Sequence, residues 1–406
     1  KAVTTVISTG FLGGTNAGNY FEPTVSNSPT LTITLATQGT VSMTSATTFV
    51  YGSTLALTAS GGNGTGAYEY SVVSGNCSIS GDALTASGVD TCVVKSRRVG
   101  DASYSTSAWS ANQSITVTPK PLTLAVTVSP SSRAYDGTRT VTLASTTAAN
   151  LTGIINGDDV TVDGTKLSAT VATAIVGDNK AVTVTVASGY LTGAQAGNYS
   201  LPTISGSPTI NIVKADQSTV TMTSGTSVVY GDTLTLTASG GESLLGYAFE
   251  VVSGPCGISS STLNATAAGT CVVRGRHLGD TNYNDSAWSV NQSITVSAKP
   301  LSLSVTVSPT SRPYNTSTNV ALAATSASNL TGIINSDSVT TDDTKLTASV
   351  TSADVGTNKA VTVAVASGFL TGTKSSSYYV SSVIGSPVLT ITQATQAALS
   401  WTSALT

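Results

Sequence analysis

Charge is scarce in this chain. Of 406 residues only 9% are Asp, Glu, Lys or Arg, with 17 basic against 20 acidic and a formal charge of -3. A nucleic-acid-binding surface needs clustered Lys and Arg to displace counterions, and these few scattered cations exclude one. A long disordered tail is excluded as well, because such tails carry more charge and fewer β-branched residues. Histidine is reduced to one residue and cysteine to four. One histidine with no nucleophile elbow near it leaves no Ser-His-Asp triad. A zinc site lacks both the histidines and a second CxxC-like pair. No enzyme and no cofactor are therefore expected. Leu, Glu, Lys and Arg on a helical period are missing too, which removes coiled coils and helical bundles. No run approaches the roughly 18 to 20 apolar residues that cross a bilayer as a helix, so no transmembrane segment is expected.

What is abundant is Thr, Ser, Val, Ala and Gly, arranged in a long internal repeat. Gly10-Phe11-Leu12 returns as Gly189-Tyr190-Leu191 and again as Gly368-Phe369-Leu370. Tyr51-Gly52 returns as Tyr230-Gly231, Cys77 and Cys92 as Cys256 and Cys271, and Trp109 as Trp288; every step is 179 residues. By content the repeat divides into cysteine-bearing segments, 36–118 and 215–297, and cysteine-free segments, 119–214 and 298–393. Residues 1–35 correspond only to the last part of a cysteine-free segment, since Lys1-Ala2-Val3 matches Lys180-Ala181-Val182 and Lys359-Ala360-Val361. The tail 394–406, which includes Trp401, reads as the start of another cysteine-bearing segment. The chain is thus expected to be a window on a longer array. The alternative is that the two truncated ends complement each other between molecules in donor-strand fashion.

Period-two alternation runs through both kinds of segment. Leu122, Leu124, Val126 and Val128 share one face of their stretch, with small or polar residues between them, as half-buried strands require. Turn signals such as Asp136-Gly137, Asn156-Gly157 and Gly61-Gly62 interrupt the strands at short intervals. The expected fold is all-β, a tandem array of small Ig-like two-sheet β-sandwich domains. The joints Thr118-Pro119-Lys120-Pro121 and Ala298-Lys299-Pro300 are short and stiffened by proline, which predicts an elongated rod. Outward Thr183 and Thr185 fit any half-buried strand and need no ice-binding plane.

Four groups of residues are candidates for chemistry. Cys77 with Cys92, and Cys256 with Cys271, suit one disulfide per segment, with buried free thiols as the bland alternative. A loop of this size gains roughly 3 kcal/mol from restriction of the unfolded chain, and the bond implies an oxidising compartment. Lys95, Arg97 and Arg98, with the copy Arg274, Arg276 and His277, form the densest positive patch. Such a patch solubilises the surface or protects an edge, or in a sharper reading contacts an anionic glycan or a neighbouring molecule. Because His277 replaces Arg98 one repeat later, the position reads as solvated. Asp158, Asp159 and Asp163 with Asn156 resemble a calcium loop superficially, but EF-hand spacing is absent and the copy reads Asn335, Asp337, Ser338, Asp342, Asp343; turns are the simpler reading. Trp109 and Trp288 read as core, with stacking against a sugar as the alternative. Tyr51, Tyr230, Tyr135 and Tyr314 are placed to cover one end of a sandwich, with the hydroxyl reaching backbone.

Some of these motifs also carry a family resemblance. The cysteine-free segment has Lys120-Pro121-Leu122-Thr123, Arg133-Ala134-Tyr135-Asp136-Gly137-Thr138, Leu151-Thr152-Gly153 leading to Gly157-Asp158-Asp159-Val160, and Ala196-Gly197-Asn198-Tyr199. It resembles the YDG repeats of bacterial surface proteins and filamentous-haemagglutinin-like adhesins. The later copy departs from the pattern, with Tyr314-Asn315-Thr316 and Ser375-Ser376-Ser377-Tyr378, which marks the triplet as a turn. The cysteine-bearing segment has Val50-Tyr51-Gly52, Gly100-Asp101-Ala102-Ser103-Tyr104 and Lys214-Ala215-Asp216, and resembles MBG-type bacterial Ig-like domains. These resemblances imply secreted stalks, adhesins or surface fibres at the bacterial cell surface or in a secreted matrix, and no catalytic residues. The expected function is an extracellular repetitive structural protein: the stalk of a large adhesin, or the subunit of a surface or biofilm-matrix fibre. Its expected partners are neighbouring copies of itself or further modules of the same chain. The alternative is an array of Ig-like modules that binds glycans or host surfaces.

Overall fold

A computed structural model describes residues 1–27, 29–334 and 336–398. Asn335 and, from 399 onward, the expected beginning of a further cysteine-bearing segment with Trp401 lie outside the described residues. The chain divides into two compact units, Lys1–Arg133 with Thr138–Ala174 and Asp178–Asn211, and Ala134–Gly137 with Ile175–Gly177 and Ile212–Thr406.

In the first unit the cysteine-bearing segment is a two-sheet sandwich. One sheet has the strand order Thr48–Val50, Gln113–Thr118, Thr91–Arg98, Tyr68–Ser74. Its first pair is parallel and the other two are antiparallel. Leu55–Ala56, Ala83–Ala86 and Cys77–Ser80 form the facing sheet. Alternation along Thr91–Arg98 sends Cys92, Val94 and Ser96 inward and leaves Lys95 and Arg97 on the outer face, as period two dictates. Phe49, Val94, Ile115 and Val117 from one side meet Leu57 and Leu84 from the other in one core. The Cys77–Cys92 disulfide joins the two sheets across this core, with a Cα–Cα distance of 6.1 Å, and Cys256–Cys271 repeats it. The ladder between Tyr68–Ser74 and Thr91–Arg98 slips at Val73, and its copy slips at Val252. Even the bulge is therefore part of the repeat.

The cysteine-free segment of the second unit shows the other design. Lys299–Ser304 pairs antiparallel with Leu330–Thr331 and parallel with Tyr378–Ile384. The second sheet has the order Ser311–Pro313, Val388–Thr392, Gly356–Val365, Leu346–Val350. Val307, Val350, Leu389 and Ile391 fill one cluster between these elements.

Within each unit the apolar core does not stop at the end of the cysteine-bearing segment. In the first unit Leu122, Leu124, Leu151, Tyr190 and Tyr199 belong to the same cluster as Phe49 and Ile115. In the second, Leu301, Leu303, Phe369 and Tyr378 join Tyr230, Leu263 and Ile294. Residues 1–35 differ. Phe11 and Tyr20 are 66% and 73% exposed, whereas their counterparts Tyr190 and Tyr199 are 0% and 5% exposed.

Candidate functional site

A polar arrangement that recurs in each unit lies where the shared core passes from one segment to the next. Tyr51 follows the strand Thr48–Val50, and its N–H donates to the Thr118 carbonyl at 2.9 Å. This pins the ring over the end of the sandwich, where only 6% of it is exposed. Its hydroxyl reaches the half-buried Asp158 carboxylate at 3.1 Å, and the Tyr199 hydroxyl donates to the same oxygen at 2.5 Å. The two rings meet edge to face with centroids 5.8 Å apart, a favoured aromatic geometry. Tyr199 also accepts the Ile155 N–H at 2.9 Å, and the Asn198 side chain accepts the Val89 N–H at 2.9 Å.

Every part returns in the second unit. Tyr230 and Tyr378 both donate to Asp337, their rings are 5.5 Å apart edge to face, and Ile334 N–H donates to Tyr378 at 3.1 Å. Ser377 takes the role of Asn198, accepting the Ala268 N–H at 3.0 Å. Gly52 completes the seam. It has φ +78, and a Cβ there would stand 2.2 Å from Ile155 Cδ1; at Gly231 the figures are φ +89 and 2.4 Å from Ile334 Cδ1. The Tyr-Gly pair thus needs glycine for its left-handed backbone and for the isoleucine that packs on it.

The carboxylate between two phenols has an electrostatic consequence. Burial, and then the hydrogen bond to Asp158, pushes the Tyr199 phenol up to about 12, and Tyr378 is raised to about 12 by burial and Asp337. Tyr51 and Tyr230 move in the same direction for the same reasons. The phenols stay protonated and donating across the ordinary pH range.

The remaining candidates fall elsewhere. Asp163 accepts from the Thr165 hydroxyl and N–H, which lowers its carboxyl below the usual range. Asp159 accepts the Ala194 N–H. These carboxylates hold turns and seams, and among the described residues no group of three or more His, Cys, Asp or Glu is placed to hold a metal ion. Asp101, in the Gly-Asp-x-x-Tyr motif, gathers the N–H groups of Thr65, Ser103 and Tyr104, and these bonds, that of Thr65 first, lower its carboxyl to about 2. The Tyr135 ring meets Tyr283 edge to face at 5.4 Å, while Tyr314 is 42% exposed.

Three expectations are corrected. The Tyr51 and Tyr230 hydroxyls reach the Asp158 and Asp337 carboxylates, not backbone. Trp109 is not core: it is 37% exposed, with Lys95 Nζ and the Arg97 guanidinium 4.9 and 4.6 Å from its ring centre. Trp288 is half-buried and lies against Arg274 and Arg276, each 4.8 Å away. The physical reason is register: Lys95 and Arg97 face outward, and the indole covers their stems from the loop that follows the strand. Arg97 is also paired with Glu69 at 2.7 Å, and Arg276 with Asp285 at 3.0 Å. His277 is not solvated either. It is 6% exposed, because it occupies an inward position of Gly269–His277, and Arg98 likewise turns inward to donate to the Gly61 and Gly66 carbonyls. The outward cations are therefore Lys95 and Arg97 in the first unit and, separately, Arg274 and Arg276 in the second.

Residues 118–206 and 297–385 each match the YDG domain. No curated protein matches the chain. Among solved structures, invasin, a bacterial integrin-binding protein, shares 13% identity over 67% of this chain and 63% of its own, with a TM-score of 0.19. The FN1–FN3 domains of chicken CNTN1 share 10% identity over 65% of this chain and 99% of theirs, with a TM-score of 0.16. The chain thus spans 63% of the length of the invasin structure.

Proposed function

We propose that this chain is an extracellular, non-catalytic structural protein, a stretch of the stalk of a large bacterial adhesin or the subunit of a surface or biofilm-matrix fibre. The Tyr-Asp-Tyr seam supports this reading most directly: the same three side chains return 179 residues later with the same partners. Repetition of that kind preserves geometry between domains, whereas a recognition loop more often varies between copies. On this reading the cysteine-bearing segments 36–118 and 215–297 are MBG-type Ig-like domains. They alternate with YDG-type domains at 119–214 and 298–393, with parts of further domains at 1–35 and 394–406. The two disulfides that join the sheets support an oxidising, extracellular setting. Among the described residues no helix is long and apolar enough to cross a membrane. The partners on this reading are neighbouring copies or further domains of the same chain. Electron microscopy of the native protein on cells tests it. Filaments with a regular axial repeat support the fibre subunit, and rods that carry a distinct tip support the stalk. Finding the protein inside the cytoplasm sinks both.

A second reading has one observation in its favour. Trp109 presents a partly open indole beside Lys95, whose ammonium is 4.9 Å from the ring, a combination that suits a sugar ring bearing a carboxylate. Titration with a uronic-acid polysaccharide tests it. Saturable binding abolished by Trp109→Ala supports this reading, and absence of binding discards it.

A further inference from the structure

The position occupied by Arg98 in the first unit and His277 in the second performs one mechanical task with two chemically different side chains. Arg98 donates through Nε to the Gly66 carbonyl at 3.0 Å. Gly66 corresponds to Leu245 one repeat later, and His277 Nε2 lies 2.5 Å from the Leu245 carbonyl. The histidine therefore serves the same backbone oxygen as the arginine.

Its other nitrogen faces a second acceptor. His277 Nδ1 is 2.7 Å from Gln217 Oε1. The Gln217 amide is oriented by its neighbours: Nε2 donates to the carbonyls of His277, Leu278 and Asn284, and Oε1 accepts the N–H groups of Glu242 and Ser243. Five backbone groups thus identify the atom facing Nδ1 as oxygen. An imidazole with one proton satisfies one of these contacts and turns a lone pair toward oxygen at the other. A ring with two protons satisfies both.

We propose that His277 is a protonation-dependent latch on the 240–246 loop. It holds Leu245 and Gln217 together only when both ring nitrogens carry a proton, where the first unit uses a permanently charged arginine. The proposal does not depend on the stalk or fibre reading. The surroundings suit a cation. The ring stacks on Tyr247 with centroids 4.6 Å apart. Glu242, on the latched loop, is lowered first by its hydrogen bonds from Ser218 and further by His277. The other charged groups nearby are Asp280, which accepts the Leu244 N–H, Lys214, which donates to the Asp280 carbonyl, and the Arg276–Asp285 pair next along the strand. Gly241 leaves the ring its space, since a Cβ there would sit 2.3 Å from Nδ1. With both nitrogens protonated the latch is closed; when one proton leaves, one contact becomes oxygen against lone pair, and the loop loosens.

Hydrogen exchange on the whole chain between about pH 5.5 and 8 tests the latch across the ordinary histidine range. With intrinsic rates divided out, protection of the Glu242 and Ser243 amides is expected to fall several-fold, while the 63–66 loop stays level. His277→Arg is expected to remove the pH dependence and His277→Gln to fix the loop at its loose level, with imidazole nitrogen shifts showing both nitrogens protonated when the loop is protected. Level protection of the wild-type loop overturns the proposal. So does an unprotonated ring nitrogen in the protected state, and so does unchanged pH dependence in His277→Arg, which would place the effect outside the imidazole.

Discussion

At the scale of single residues, glycine and tyrosine set the seam. Gly52 has φ +78 and would place a Cβ 2.2 Å from Ile155 Cδ1, so Gly52→Ala meets both backbone strain and overpacking. We expect a loss of about 2 to 4 kcal/mol in the first unit, read by urea unfolding, with the second unit unchanged. The phenols supply a second test. Tyr199 and Tyr378 are raised to about 12, so the folded state holds these protons more tightly than the unfolded chain does. Their contribution is complete below about pH 10, the ordinary tyrosine value, and is lost as pH rises through their folded values. Tyr199→Phe should weaken this alkaline sensitivity in the first unit only, since Tyr51 is raised there as well, as followed by unfolding midpoints across that range; an unchanged profile would contradict the seam electrostatics. The recurring Tyr51-Gly52 pair is legible in the sequence, and it reads as a fold element. Its partner Asp158 is not, because 107 residues separate them and only the folded chain brings them together. His277 misleads for a related reason. Arg and His look interchangeable only on a wet surface, yet here both turn inward to one carbonyl.

At the scale of strands and sheets, alternation carries most of the information. Cys92, Val94 and Ser96 face inward and Lys95 and Arg97 outward along one strand, as period two requires. The indoles are less legible, because Trp109 and Trp288 sit in irregular chain where no periodicity assigns a side. The disulfide is the element-scale feature with the largest expected energy. Cys77 and Cys92 are 15 residues apart and connect facing sheets. Replacing both by serine should cost roughly 3 kcal/mol in the chain-entropy account. Guanidinium unfolding under oxidising conditions measures this, and a reducing agent should lower the wild-type midpoint while leaving that of a variant lacking all four cysteines in place. A wild-type midpoint indifferent to reductant would contradict the assignment.

At the scale of the whole molecule, the repeat combines two segment types that differ in sheet order yet share a core inside each unit. Tyr190 and Phe369, fully or nearly fully buried, stand on the cysteine-free side of cores that also contain Ile115 and Ile294. The sequence anticipates two alternating sandwiches; their fusion depends on apolar contacts between residues far apart in the chain, which local pattern does not register. The stalk or fibre reading requires the seam to hold each cysteine-bearing segment and the one after it as a single rigid element. The most direct measurement is the distance distribution between spin labels at exposed Ser80 and Thr183, read by pulsed electron resonance in the wild type and in Asp158→Ala. The account predicts one narrow distribution in the wild type, unchanged over ordinary pH, and a broader one in the variant. A broad distribution already present in the wild type would contradict it.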